Sequence, residues 1–306
     1  MSGSILPVAA AALLQAAPPN DYVLDVPAGG MFDGMLAAAE GVPGVAVRIH
    51  VGPDMPYRPF LTGRVAAAAH LVPVPVPHVI RVGPVRVDGT PGTAFIAMAG
   101  KGFLRGISWF EAPMAEGADL AIGPQALPWN QVRFRLRPAR PGERRLRFPI
   151  VRENLISTVV RFRIGRQEVR LGFAPDRPTS LATAAAGALL AETNGGSLGE
   201  TRERVRLATG VERPARPMRL AHPLSIDGLM LASLLVRTRD FGGATSLPGL
   251  TAPDEEASPD EVVVTARADT SPAVYYIMLG ADALAPCSSI TFDNVRRRVE
   301  LSCLVP

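Results

Sequence analysis

The chain of 306 residues carries one turn sequence twice. Residues 47–54 read Val-Arg-Ile-His-Val-Gly-Pro-Asp, and residues 169–176 read Val-Arg-Leu-Gly-Phe-Ala-Pro-Asp. Each copy closes an apolar strand pattern and is followed by an Ala-rich helical pattern. Because self-similarity of this kind indicates one structural unit used twice, we expect two similar lobes related by a pseudo-two-fold axis.

A second pattern is also repeated, once in each half. Residues 118–127 read Ala-Asp-Leu-Ala-Ile-Gly-Pro-Gln-Ala-Leu, and residues 277–284 read Ile-Met-Leu-Gly-Ala-Asp-Ala-Leu. In the order strand, hairpin, strand, acidic turn, short helix, further strands and a closing Gly-containing segment, the chain resembles the retropepsin-like aspartyl proteases. The resemblance covers about residues 20–306 and is most specific over residues 277–301. It implies two β-barrel lobes, in tandem on one chain, with a cleft between them.

The resemblance ends at the catalytic motif. The family places Asp-Thr-Gly or Asp-Ser-Gly directly after the strand, and neither triplet occurs anywhere in this chain. The matching positions hold Gly52, Pro53 and Asp54 in one half and Ala174, Pro175 and Asp176 in the other. Aspartyl proteolysis needs two carboxylates about 3 Å apart that share one proton and activate one water. We therefore expect a non-catalytic relative, a pseudoprotease, that holds an extended peptide or protein segment in its cleft.

An aspartic endopeptidase that uses a displaced acid pair is the alternative. Asp54 and Asp176 form a symmetric pair two residues later than the family's acids. Proline in place of the family's Thr or Ser removes a backbone N–H and a hydroxyl that would support such a pair. Pro-Asp is also an ordinary turn sequence, and this interpretation is favoured.

Composition and patterning predict a mainly β protein with a few short helices. The chain is 47% hydrophobic and has 30 prolines and 29 glycines, which indicates many short segments separated by turns. Helices are predicted over residues 65–71 and 181–192. We expect lobe 1 over residues 21–138 and lobe 2 over residues 139–306, with an acidic surface loop at 251–261.

Several classes of partner and cofactor are not supported. The formal charge is +4, and the arginines between residues 133 and 170 alternate with apolar residues, as on the solvent face of strands. We therefore expect no nucleic-acid partner. Two cysteines and four scattered histidines show no metal-ligand spacing, so neither a metal nor another cofactor is predicted.

Two features favour a periplasmic or secreted location, with the cytoplasm as the alternative. Residues 1–20 contain an apolar run that resembles the core of a signal peptide, or form a simple N-terminal lead-in, and the run is too short to span a bilayer. Cys287 and Cys303 lie at equal distances from Val295, so an in-register hairpin would place them opposite each other. A disulfide there would persist in an oxidising compartment, and two buried free thiols are the other interpretation.

Trp109 and Trp129 both fall in the first half, near its second repeated pattern. Core packing is the favoured interpretation of both, and an aromatic wall of the predicted cleft is the other.

Overall fold

The computed structural model describes residues 22–27, 29–82, 85–152, 158–207, 210–238, 240 and 273–306. The chain is mainly β over these ranges, as predicted. The strands are β1 Val23–Val26, β2 Met31–Ala37, β3 Val45–Val51, β4 Phe60–Thr62, β5 His78–Val82, β6 Val85–Met98, β7 Lys101–Phe110, β8 Leu120–Ile122, β9 Gln131–Arg135, β10 Arg144–Arg152, β11 Thr158–Ile164, β12 Gln167–Phe173, β13 Leu181–Ala182, β14 Gly196–Leu198, β15 Glu203–Arg206, β16 Glu212–Ile226, β17 Leu229–Arg237, β18 Tyr276–Leu279, β19 Cys287–Asp293 and β20 Arg298–Cys303. The helices are α1 Gly63–Ala68, α2 Ala184–Asn194 and α3 Ala281–Leu284, with a 3-10 turn at Pro124–Ala126.

The sequence repeat is present in the strand topology. In the first half β3 pairs parallel with β8, β8 antiparallel with β4, and β4 parallel with β7. In the second half β12 pairs parallel with β18, β18 antiparallel with β13, and β13 parallel with β17. The registers match as well, because Val51 pairs with Ile122 in the first half and Phe173 pairs with Leu279 in the second. The predicted two-lobed β architecture is therefore confirmed.

Both predicted helices follow the repeated turns, with one correction at the start of the second. Leu181 and Ala182 form strand β13, and α2 begins only at Ala184. Thr183 separates strand from helix because its side chain accepts a hydrogen bond from the backbone N–H of Ala186, as an N-cap does. The helix ends at Asn194, and Gly195 caps it with a φ of 63°, in the left-handed region that glycine adopts without a steric cost.

A set of five strands joins the two halves. The order β1-β9-β19-β20-β10 forms one end of a 13-stranded sheet, which continues through β11 and β12 into the second half. The other sheet has seven strands in the order β2-β3-β8-β4-β7-β6-β5. One buried apolar cluster includes Leu24, Ile49, Leu171 and Leu301, so the core is continuous from one half to the other. The expected lobe boundary near residue 138 falls between β9 and β10, both in this joining set, and it stays a prediction.

The two expected features at residues 1–20 and 251–261 lie outside the described residues. No helix in the described part of the chain is long and apolar enough to cross a membrane.

The predicted disulfide between Cys287 and Cys303 is present. The two cysteines pair across β19 and β20, but most of this hairpin runs one residue out of the register that they would set. Ser289 pairs with Ser302, and Ile290 pairs with Leu301, so Ser288 is an extra residue on one strand. This β-bulge allows the cysteines to face each other while the rest of the hairpin keeps its own register.

The bulged residue takes part in a buried polar cluster around Glu143. The hydroxyls of Ser288 and Ser302 both donate to Glu143 Oε2, and Arg137 Nη1 lies 2.7 Å from Oε1. The Glu143 side chain is only 5% exposed. The bond from Ser288 is the largest influence that lowers the pKa of Glu143 to about 2. This carboxylate therefore ties the segment that precedes β10 to the closing hairpin.

Removing the disulfide should lower the stability of the fold. The bond closes a loop of 16 residues. Closing a loop of this size restricts the unfolded chain and adds roughly 3 kcal/mol to the unfolding free energy. We expect the double variant Cys287→Ser, Cys303→Ser to lose about that much unfolding free energy in chemical denaturation. Wild-type protein in reductant should match the variant, and an unchanged midpoint in both cases would contradict the expectation.

Glu143→Gln should also destabilise the fold, in a pH-dependent way. Because the folded pKa is depressed, the carboxylate stabilises the fold fully above its ordinary pKa of 4.5, and the contribution is lost as pH falls towards about 2. We expect the variant to unfold at lower denaturant than wild type at pH 7, with the gap closing by about pH 2. Glu40→Gln, at an exposed position, is the matched control. A gap that did not change with pH would argue against the depressed pKa.

Candidate functional site

The two repeated turns have the same backbone hydrogen bonds. The N–H of Met55 donates to the carbonyl of Gly52 at 3.1 Å, and the N–H of Arg177 donates to the carbonyl of Ala174 at 3.0 Å. Each bond closes a four-residue turn with proline at its second position, where the fixed φ of proline is favourable. The aspartates that follow the two prolines are therefore held at equivalent places.

Each turn is also anchored to the neighbouring parallel strand. The N–H of Gly52 donates to Ile122 at 3.3 Å, and the N–H of Ala174 donates to Leu279 at 2.8 Å. These acceptors are the last residues of β8 and β18. The turns are thus fixed by the central strand pairs of their lobes and are not free surface loops.

The glycine of the second repeated pattern has a steric role in both halves. A Cβ on Gly123 would lie 2.4 Å from the carbonyl oxygen of Met55, and a Cβ on Gly280 would lie 2.7 Å from the carbonyl carbon of Thr179. The turn backbone passes so close that no side chain fits at either position. In each half, the repeated turn and the repeated glycine segment therefore pack directly against each other.

The side chains around the turns are not symmetric. His50 precedes the first turn, and Gly172 occupies the equivalent position before the second. A Cβ on Gly172 would lie 2.0 Å from the hydroxyl oxygen of Tyr276, so this tyrosine occupies the corresponding space in lobe 2. His50 Nε2 lies 3.9 Å from Asp176 Oδ2, which links the first lobe to the turn of the second.

Asp54 lies beside His50 over the first turn. A Cβ on Gly52 would lie 2.8 Å from His50 Nε2 and 2.9 Å from Asp54 Oδ1, so both side chains approach the space that glycine leaves open. The pKa of Asp54 is raised to about 6, mainly by burial and also by the negative charge of Asp176. The N–H of Asp54 itself and the charge of Arg177 act in the opposite direction.

Two neighbouring groups have shifted pKa values for similar reasons. Burial lowers the pKa of His50, although the charge of Asp176 and a hydrogen bond with the Gly29 backbone oppose this. Burial also raises the pKa of Tyr276 well above its usual range, and the charge of Asp54 adds to the effect. His50 and Tyr276 are consequently both neutral at pH 7.

A cavity of about 320 Å³ borders both turns. Its walls come from the end of β9, the segment between β1 and β2, the two turns, and the region around α3. The lining residues are Pro27, Gly29, Gly30, Val51, Pro53, Phe134, Arg135, Leu136, Arg137, Pro175, Asp176, Ala281, Leu284, Ala285 and Cys287. Most of this lining is apolar, and Asp176 is the one acidic side chain among the described residues that form it.

The structure separates the residues that the sequence grouped together. Asp176 lines the cavity with a side chain 59% exposed, whereas Asp54 is partly buried and is not among the lining residues. Pro53 and Pro175 both line the cavity, whereas Gly52 and Ala174 are buried behind it. The catalytic or binding roles of these positions stay predictions.

Neither tryptophan lines this cavity. Trp129 is buried and packs edge-on against Phe103, with Lys101 Nζ 5.3 Å from the centre of its ring. Trp109 packs against the main core, close to Gly92. Within the described ranges, no group of three or more His, Cys, Asp or Glu side chains could hold a metal ion.

Sequence reasoning did not identify His50 or Tyr276 as site residues. His50 lies inside the first repeat, and alignment of the two repeats places it opposite Gly172. That mismatch in an otherwise similar strand is the signal that could have found it. Tyr276 has no comparable signal, because only the folded structure brings its hydroxyl beside Gly172.

Comparison with known proteins finds similarity among the solved structures. The chain is similar to a crystal structure of the aspartic proteinase from Irpex lacteus, with a TM-score of 0.44 and 9% sequence identity, over 89% of this chain and 93% of that one. No family model and no curated protein matches the sequence. Similarity at this level bears on the fold alone, and no functional conclusion rests on it.

Asp54→Asn should stabilise the protein above about pH 6. The raised pKa means that the folded state keeps this proton between the ordinary value of 3.8 and about 6, so stability falls as pH rises through that window. An uncharged amide avoids the cost of burying the charge. We expect a gain of about 1–3 kcal/mol at pH 7 and almost none at pH 4, from denaturation at both values. Asp33→Asn, at an exposed position, should show neither effect.

Proposed function

We propose that this protein binds an extended peptide or protein segment in the cavity that borders its two turns, and that it does not cleave the segment. The observation that supports this proposal is the cavity itself. It is concave and mostly apolar, it has a few polar groups, and both repeats contribute to it, as is common for ligand sites. Its volume of about 320 Å³ suits one or two side chains of a longer segment.

The placement of the two acids argues against cleavage. An aspartyl mechanism needs both carboxylates to face one water in the same space. Here Asp176 lines the cavity, and Asp54 is not among the described residues that line it. Pro53 and Pro175 also have no N–H, so the turn backbone offers no donor at these positions to a polarised carbonyl.

Backbone near the cavity is suited to an extended ligand. Gly29 and Gly30 line it without side chains, and Gly29 has open space where a Cβ would be. Ala281 and Ala285, one helical turn apart, are both exposed at the opposite wall. Small residues on two walls leave room for a chain to pass along the cavity, with one side chain inserted.

An oxidising location is part of the proposal. The disulfide between Cys287 and Cys303 is compatible with a periplasmic or secreted protein, where such bonds persist.

Selection from a library of random peptides, with the full chain as bait, tests the proposal. Ala285→Trp would fill the cavity from an exposed wall. We expect this variant to bind the selected peptides at least about tenfold more weakly, a loss of about 1.4 kcal/mol of binding free energy. Ala39→Trp, in the exposed turn between β2 and β3, is the matched control and should leave affinity unchanged. Failure to enrich any peptide, or equal binding by Ala285→Trp, would refute the proposal.

A peptidase that uses Asp54 and Asp176 is the second candidate. It is favoured by one observation, which is that the charge of Asp176 helps to raise the pKa of Asp54, as between interacting carboxylates. Incubation with an unfolded protein substrate between pH 3 and pH 7 tests it. Cleavage that is lost in both Asp54→Asn and Asp176→Asn would support this candidate, and absence of cleavage by the wild type would remove it.

A further inference from the structure

Asp176 is an acid whose cationic contacts among the described residues are weak. Its side chain is 59% exposed, and its one ion-pair contact in the described part of the chain is with His50 Nε2, at 3.9 Å. Burial keeps that imidazole neutral at pH 7. Arg177, the next residue, directs its Nη2 to the carbonyl of Arg206 at 3.0 Å. Within the described ranges, no close cation therefore balances the charge of the Asp176 carboxylate at the wall of the cavity.

The two arginines of the cavity wall are engaged elsewhere. Arg137 contacts Glu143 at 2.7 Å and donates to several backbone carbonyls. Arg135 contacts Asp25 at 2.6 Å, and Arg133 also approaches that carboxylate, at 3.8 Å. Both guanidinium groups of the lining are thus paired with acids outside the cavity. The two arginines line the wall formed by the end of β9, whereas Asp176 lines the wall formed by the second turn.

The surfaces adjoining Asp176 are aliphatic. Val51, Pro53, Pro175 and Leu284 line the same cavity, and their side chains are hydrocarbon. Long basic side chains bury their methylene stems along such surfaces while the charged end keeps a polar partner. A neutral polar side chain would donate a hydrogen bond without balancing the charge of the carboxylate, and an acidic one would be repelled by it.

We propose that the cavity selects a basic side chain, lysine or arginine, from the bound segment. The charged end contacts the Asp176 carboxylate, and the stem lies against the two turn prolines. This inference rests on the proposed peptide-binding function and specifies the ligand that the same cavity takes.

Peptides are first selected with the wild-type protein. Their affinities for the wild type and for the Asp176→Asn variant are then compared. We expect one enriched position to hold lysine or arginine. Replacing that residue with norleucine, which keeps a hydrocarbon stem, should weaken binding to wild type by about tenfold or more. The same replacement should change binding to Asp176→Asn by less than about twofold, because the variant has no charge to lose. Asp33→Asn, exposed on β2, should behave like wild type.

The outcomes separate this inference from the function on which it rests. Peptides that bind without any basic preference, or with a preference that Asp176→Asn retains, overturn the inference and leave peptide binding intact. A library from which nothing binds overturns both. As a control, the thermal unfolding midpoint of Asp176→Asn is compared with that of the wild type. Equal midpoints show that any loss of binding does not come from loss of the fold.

Discussion

The close passage of each turn over a glycine is the constraint on which the rest of the site depends. Gly123 and Gly280 lie so near the opposing backbone that a Cβ would overlap it. This contact brings the end of one parallel strand against the turn that follows the other, and so fixes where Asp54 and Asp176 lie. The same close contact holds the turn in each half, and the two turns border one cavity.

An identical backbone does not produce an identical site. The turns share their closing hydrogen bonds and their anchors to β8 and β18, yet His50 lies before one and Tyr276 fills the equivalent space before the other. The consequence is one acid partly buried beside His50 and one exposed acid that lines the cavity. A symmetric pair suits chemistry in which two carboxylates share a proton, whereas an asymmetric pair suits recognition of a ligand with a direction.

Much of the fold could be predicted from the sequence, because it depends on local patterns that occur twice. The turns at residues 52–54 and 174–176, the mainly β class and the pairing of Cys287 with Cys303 all follow from spacing and repetition. The site could be predicted only in part. The exposure of Asp176, the burial of Asp54 and the cavity itself depend on how distant strands pack. Glu143 is likewise an ordinary residue of a turn-rich segment until Ser288 and Ser302 are brought to it.

The bulge at Ser288 separates two properties of the closing hairpin that usually vary together. The covalent link sets which residues face each other at one end, while the paired strands beyond it follow a register one residue different. Deletion of Ser288 would place Cys287 opposite Cys303 in the register of the remaining ladder, because Ser289 pairs with Ser302. The disulfide therefore does not need the extra residue, whereas the hydroxyl that reaches Glu143 is supplied by it. The residue in the bulge serves the carboxylate and not the sulfur–sulfur bond, so its identity matters as much as its presence.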